Sequence, residues 1–157
     1  KSLKNQNEKR SKVSVSPPTL YKLFIVMMLV TIFLPVKMHI GFPYNLAGII
    51  VFIAGAFLAV QTKKMFKQTG TPMAPGANPE KLHIHGYFRF TRNPMYLGIT
   101  IGLAGVALLT GNIFNFLFPI TYVVLMEIFF VRGEEKLLEE RFGERFILYK
   151  QKTRRWL

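Results

Sequence analysis

Apolar residues in this chain gather into blocks instead of recurring at one amphipathic period. The blocks run from Leu20 to Val36, Phe42 to Val60, Met95 to Leu109 and Ile113 to Val131, and each predicts a helix surrounded by lipid. Lys22, near the start of the first block, is long enough to snorkel to the headgroups. The third block is short: at about 1.5 Å per residue it covers roughly 23 Å of an approximately 30 Å hydrocarbon core. Beyond Arg132 the pattern changes. Leu137, Leu138, Phe142, Phe146 and Ile147 form a helical stripe broken at Gly143, which predicts an interfacial helix pair over Glu134 to Lys150. The expected architecture is an all-α integral membrane protein with four transmembrane helices and a C-terminal interfacial helical segment.

The separators support this division. Residues Lys1 to Thr19 are polar, basic and end in Pro17-Pro18, a composition unable to bury enough surface to fold alone, so they read as a tail. Lys37 to Pro43 reads as a short turn. Gln68 to Leu82 carries Pro72, Pro75 and Pro79 and reads as a loop. Thr110-Gly111-Asn112 is a tight turn that folds blocks three and four into an antiparallel hairpin. Small residues at Gly48, Gly55 and Ala59, and at Gly98, Gly102 and Gly105, are spaced for close helix packing. Residues 20–157 are thus expected to form one membrane domain behind a tail at 1–19.

Charge adds an orientation. The chain has 21 Lys and Arg against 8 acidic residues, none of them Asp. With four spans, every Lys and Arg except Lys37 falls on one side, and by the positive-inside rule that side, with both termini, is cytoplasmic. A basic membrane-facing stripe accounts for the net charge of +13, and no nucleic-acid module is recognisable. The absence of Cys removes thiol nucleophiles and thiolate metal sites.

The densest chemistry lies in His83 to Gly98, reading His-Ile-His-Gly-Tyr-Phe-Arg-Phe-Thr-Arg-Asn-Pro-Met-Tyr-Leu-Gly, directly before the third block. The hairpin returns the end of the fourth block to the start of the third, so Arg92, Asn93 and Tyr96 should approach Glu134 and Glu135. Adjacent carboxylates repel unless cations answer them, and Arg89, Arg92, Arg132 or a cationic ligand could do so. Glu127, inside the fourth block and seven residues before Glu134, should share nearly the same face; snorkelling to the nearby interface is the other reading. His83 and His85 alternate, so one of them can point into a site, and two such histidines do not make a metal site. His39 is expected on the far side. Arg154, Arg155 and Trp156 read as an interfacial anchor for the C-terminus, with a lid role as the alternative.

Arg-Asn-Pro-Met-Tyr-Leu-Gly at 92–98, followed after a hairpin by Glu134-Glu135, then Arg141-Phe142-Gly143 and a terminal Tyr149-Lys150 with Arg154-Arg155-Trp156, resembles the isoprenylcysteine carboxyl methyltransferase and phospholipid methyltransferase superfamily of membrane enzymes. The resemblance covers about residues 71–157. It implies methyl transfer from S-adenosylmethionine to a lipophilic membrane acceptor, such as an isoprenylcysteine carboxylate or a phospholipid amine, at the cytoplasmic face. Carried over by position, the cofactor-binding candidates are His85, Gly86, Arg92, Asn93, Pro94, Tyr96, Gly98, Glu134 and Glu135. Asn93 stands where many carboxyl methyltransferases of the superfamily have His and where phospholipid enzymes can have Asn; Tyr87 stands where Pro is common.

The residue chemistry agrees. A ligand carrying a sulfonium, an ammonium and a carboxylate needs anions and cations together: Glu134 or Glu135 for the ammonium, Arg92 for the carboxylate, Tyr96 or Phe90 beside the sulfonium or adenine. Pro94 suits the first turn of a helix. Arg92, Glu127 and Glu134 are the candidate catalytic residues; a carboxylate acceptor needs no base, whereas an amine or phenol does, and Glu127, Glu134 or a histidine could supply it. Two other functions fit less of the pattern. One is a sterol-reductase-like membrane oxidoreductase, whose Arg-x-Pro-x-Tyr region is similar; the other is a non-catalytic membrane scaffold.

Overall fold

The computed structural model describes residues 16–33, 40–70 and 81–157. Most of the basic tail, the first three residues of the Lys37 to Pro43 turn, His39 among them, and most of the proline-rich loop lie outside the described residues. Helix α1 spans Pro17–Val30, α2 Ala47–Gln68, α3 Pro94–Thr110, α4 Leu117–Met126, α5 Arg132–Phe142 and α6 Glu144–Lys152. Among the described residues there is no strand.

Two of the boundaries that differ from the sequence expectation do so for identifiable reasons. Helix α1 starts at Pro17, inside the stretch read as tail, because proline's missing amide proton costs nothing in a first helical turn. The fourth apolar block does not stop at Arg132. Helix α4 passes through a π-helical segment, Glu127–Val131, straight into α5, so the first member of the expected interfacial pair continues a long helix, Ile113–Phe142. The break at Gly143 is as expected, with φ +53.

Length and composition make two helices, Tyr44–Gln68 and Ile113–Phe142, capable of crossing a membrane; Pro17–Phe33 and Pro94–Thr110 are shorter apolar helices. The outer faces of α1, α2 and α4 are apolar and bare: Val26, Leu29, Ile50, Ile53, Ile120 and Val124 are all exposed. A continuous belt of this kind suits lipid rather than water.

Helix α3 is central. Its closest neighbour is α2, which it crosses antiparallel with almost no side-chain spacer: a Cβ on Gly98 would sit 2.7 Å from the Ala59 amide nitrogen and 2.8 Å from the Gly55 carbonyl oxygen. Near the other end, Gly105 abuts Phe52 and Gly48 in the same way. Backbones that approach this closely gain dispersion contact over their whole length, the usual cement between helices in lipid. On its opposite face α3 meets α1 and α4 through Tyr96, Leu103, Val106, Phe24, Met28, Tyr122 and Met126. At the hairpin end Asn115 donates to the hydroxyls of Thr31 and Thr110, both at 2.8 Å, tying α1 to the turn. Gly111 makes that turn with φ +70. The turn at Gly111 runs α4 antiparallel to α3, so the start of α3 and the end of α4 lie at one end of the bundle.

At that end a second cluster docks α6. Phe146, Tyr149 and Phe88 are buried together against Met65, Phe66 and Leu138. The Tyr149 hydroxyl donates to the Phe88 carbonyl at 2.7 Å, and its burial there pushes the phenol above its ordinary pKa. The short 3₁₀ turn Gly86–Arg89 is thereby fixed between α2 and α6, directly before Arg92.

Candidate functional site

Proline at the first position of α3 forces Asn93 out of helical geometry, to φ −128 and ψ 57, so Arg92 and Asn93 leave the helix axis and turn back over its end. There Arg92 meets Glu135, which α5 presents one turn from its start. Arg92 Nη2 and Nε lie 2.9 and 3.0 Å from Glu135 Oε1, and the two side chains are only 9% and 7% exposed. Arg92 Nη1 also donates to the carbonyls of Lys150 and Thr153. A guanidinium held by a carboxylate and two carbonyls is fixed in orientation as well as charge.

The neighbouring carboxylate faces the bundle. Tyr96, one turn into α3 and 5% exposed, donates its phenol proton to Glu134 Oε1 at 3.0 Å. The adjacent acidic pair is therefore divided: Glu135 to the cations of the polar end, Glu134 to a phenol above the apolar core.

Arg155 completes the cluster, a residue whose sequence context reads as an interfacial anchor, with a lid role as the alternative. Its Nε and Nη2 reach Glu135 Oε1 and Oε2 at 2.9 and 2.7 Å, and its Nη1 pairs with Glu127. Hydrogen bonds to Glu135, with further support from Glu127, hold this guanidinium above its ordinary pKa against the opposing effect of burial. Glu127 also accepts from Arg132 Nε and Trp156 Nε1, both at 3.2 Å. The π-helical segment explains why Glu127 lines up with Glu135. In an uninterrupted α-helix, residues eight apart diverge by about 80°; a π turn takes up an extra residue and restores the alignment. Sequence spacing alone pairs Glu127 with Glu134.

The segment after α6 is pinned across the start of α3. The Arg92 amide donates to the Arg154 carbonyl at 2.9 Å, and the Arg155 carbonyl accepts from Thr91 Oγ1 at 3.0 Å and Asn93 Nδ2 at 3.1 Å. Asn93 thus acts here on the C-terminal segment, and only this extended path shows that Arg155, not Arg154, turns inward. Beside the cluster a polar cleft of about 330 Å³ opens between α5 and α6, with Glu135, Glu139, Lys150 and Arg155 in its lining.

The remaining candidates fall elsewhere. His85 and Gly86 are exposed at the start of the 3₁₀ turn, Gly86 with φ +62, and Phe90 is exposed. Gly98 faces α2, where backbone packing accounts for its lack of a side chain. His83 meets the Phe66 ring edge to face, lies at a tilt against Phe88 and is 3.4 Å from Thr69 Oγ1; burial, then the charge of Lys81, lowers its pKa.

Three carboxylates and three guanidiniums in one cluster, at the mouth of a cleft, can meet a ligand bearing both charge signs. That donor set fits S-adenosylmethionine, the cofactor implied by the sequence resemblance: carboxylates suit its ammonium and sulfonium, and Arg92 suits its carboxylate. Comparisons with known proteins agree on the class. A family model described as phospholipid methyltransferase matches residues 43–145, which include Arg92, Tyr96, Glu127, Glu134 and Glu135. An uncharacterized protein of Haemophilus influenzae is 38% identical over 63 residues, 40% of this chain and all of that protein. No solved structure matches. The chain belongs to the phospholipid methyltransferase family of membrane proteins.

Proposed function

We propose that this protein transfers a methyl group from S-adenosylmethionine to a lipophilic acceptor that enters from the membrane. The observation that carries the reading is the convergence of Arg92 and Tyr96, at the start of α3, on Glu135 and Glu134 at the start of α5. The cofactor supplies an electrophilic methyl group on a sulfonium. Glu135 and Glu127 bind the cationic part of the ligand, and Arg92, already oriented by two carbonyls, binds its carboxylate. Displacement at a sulfonium needs alignment and exclusion of water more than a covalent nucleophile. Tyr96, Met126 and Val131, all buried, form the dry wall beneath the carboxylates.

Glu134 sits where polar cluster meets apolar core. It serves as the base when the acceptor is an amine or phenol, with Tyr96 orienting it; a carboxylate acceptor needs none. The bare apolar faces of α1, α2 and α4 allow an acceptor to stay in the bilayer while its head reaches the site. All four apolar helices span in this reading. The Lys and Arg distribution supports a cytoplasmic position for the cluster, where a soluble cofactor is available and anionic headgroups face a basic surface.

Calorimetric titration of the full-length protein in lipid nanodiscs with S-adenosylmethionine tests the cofactor. Saturable binding that Arg92→Met weakens at least tenfold is expected. A folded protein that shows no saturable binding rules the reading out.

A further inference from the structure

Arg155 sits where a cationic ligand would. Its guanidinium bridges Glu135 and Glu127, and Trp156 Nε1 holds the second oxygen of Glu127 at 3.2 Å. The charges of the cluster already balance, Glu127, Glu134 and Glu135 against Arg92, Arg132 and Arg155. A further cation entering this half-buried site leaves an excess positive charge, unless one resident leaves.

The three guanidiniums are not equally able to leave. Arg92 is 9% exposed and bound by two carbonyls besides Glu135, so its release breaks the start of α3. Arg132 is 67% exposed and touches only one edge of Glu127, so its departure vacates nothing at Glu135. Arg155 is 33% exposed, lines the cleft, and is carried by Thr153–Leu157, a non-helical segment beyond α6. Four hydrogen bonds outside the carboxylates hold no part of its side chain; the segment is tied through its backbone by Arg92, Thr91 and Asn93.

We propose that Arg155 is a built-in occupant of the cofactor's cation subsite, and that Thr153–Leu157 is a strap whose side chains are displaced when the cofactor binds. The inference rests on the reading of the cluster as an S-adenosylmethionine site. In the closed form the strap keeps two carboxylates paired and shielded from stray cations. In the open form Glu127 and Glu135 are transferred to the ligand, and the Arg155 guanidinium moves toward the cleft. The strap lies beyond residues 43–145, the part that carries the family match.

Trp156 is the chain's one tryptophan, so its fluorescence reports the strap without labelling. The full-length protein in nanodiscs is titrated with S-adenosylmethionine, and heat and Trp156 emission are followed together, with acrylamide quenching at each end point. The expected result is a red shift and at least twofold stronger quenching, with the same midpoint as the heat. Arg155→Gln should show the strong quenching without ligand and bind at least threefold tighter than wild type; Arg155→Lys should fall between. Heat with no Trp156 change, stronger shielding of Trp156 on binding, or weaker binding by Arg155→Gln overturns the strap and leaves the methyltransferase reading intact. No heat from wild type or Arg155→Gln overturns both.

Discussion

Arg92, two residues before α3, and Glu135, in the first turn of α5, form an ion pair 2.9 Å long with both side chains less than a tenth exposed. Each needs the other, because an unpaired charge at this depth is costly. Glu135→Gln leaves Arg92 and Arg155 facing each other across a neutral amide, and it should destabilise the protein by about 3 kcal/mol. The double variant Arg92→Met with Glu135→Met should lose less than the sum of the single variants. Thermal unfolding in detergent, followed by circular dichroism, measures both; strictly additive losses would mean that the pair contributes no mutual stabilisation.

The glycines of α3 are not equivalent. A Cβ at Gly98 meets backbone atoms of Ala59 and Gly55, which cannot give way, whereas a Cβ at Gly102 finds only the Phe52 ring edge at 4.0 Å. Gly98→Ala should therefore lower the unfolding midpoint markedly. Gly102→Ala should leave it unchanged or raise it, since alanine gains up to about 1 kcal/mol of helix propensity. Equal effects of the two substitutions would contradict the observed crossing of α2 and α3.

Tyr122 is fully buried against Phe24, yet its hydroxyl has no hydrogen-bond partner among the described residues. Removing an unpaired polar atom from an apolar core is favourable, so Tyr122→Phe should be neutral or stabilising by about 1 kcal/mol. A loss of stability on the same unfolding assay would show that the phenol is bonded in the membrane.

His83 predicts a pH dependence. Its folded pKa lies below the unfolded value of about 6.5, so below that pH the unfolded chain binds more protons than the folded one. The contribution is fully present above about pH 6.5 and is lost as pH falls toward the folded pKa. Unfolding midpoints measured from pH 7.5 to 5.5 should fall more for wild type than for His83→Gln. Parallel curves would assign the acid sensitivity to other groups.

Much of this was legible in the residues, and the exceptions share a cause. Four apolar blocks, the turn at Gly111 and the small-residue faces follow from composition and spacing, because helices in lipid must satisfy their backbone internally. The approach of Arg92 to Glu135 followed from the hairpin alone. The π-helical segment at Glu127–Val131 leaves no mark in the spacing, so the spacing aligns Glu127 with Glu134, whereas it lies with Glu135. Arg155 was hidden for a related reason. Its inward turn depends on the path of an extended segment, set by Thr91 and Asn93 some sixty residues earlier. Position in the family pattern points to His85 and Gly86, which stand on the exposed side of a turn.

The most direct measurement of the central claim is transfer of label from methyl-labelled S-adenosylmethionine into a lipid extract by the purified full-length protein. Label should enter the lipid fraction with wild type, with a loss of about 10²-fold in Glu134→Gln if the acceptor is an amine or phenol, and with a comparable loss in Arg92→Met for any acceptor. A folded, cofactor-binding protein that labels no lipid, or labels it equally well without Arg92, would contradict the claim.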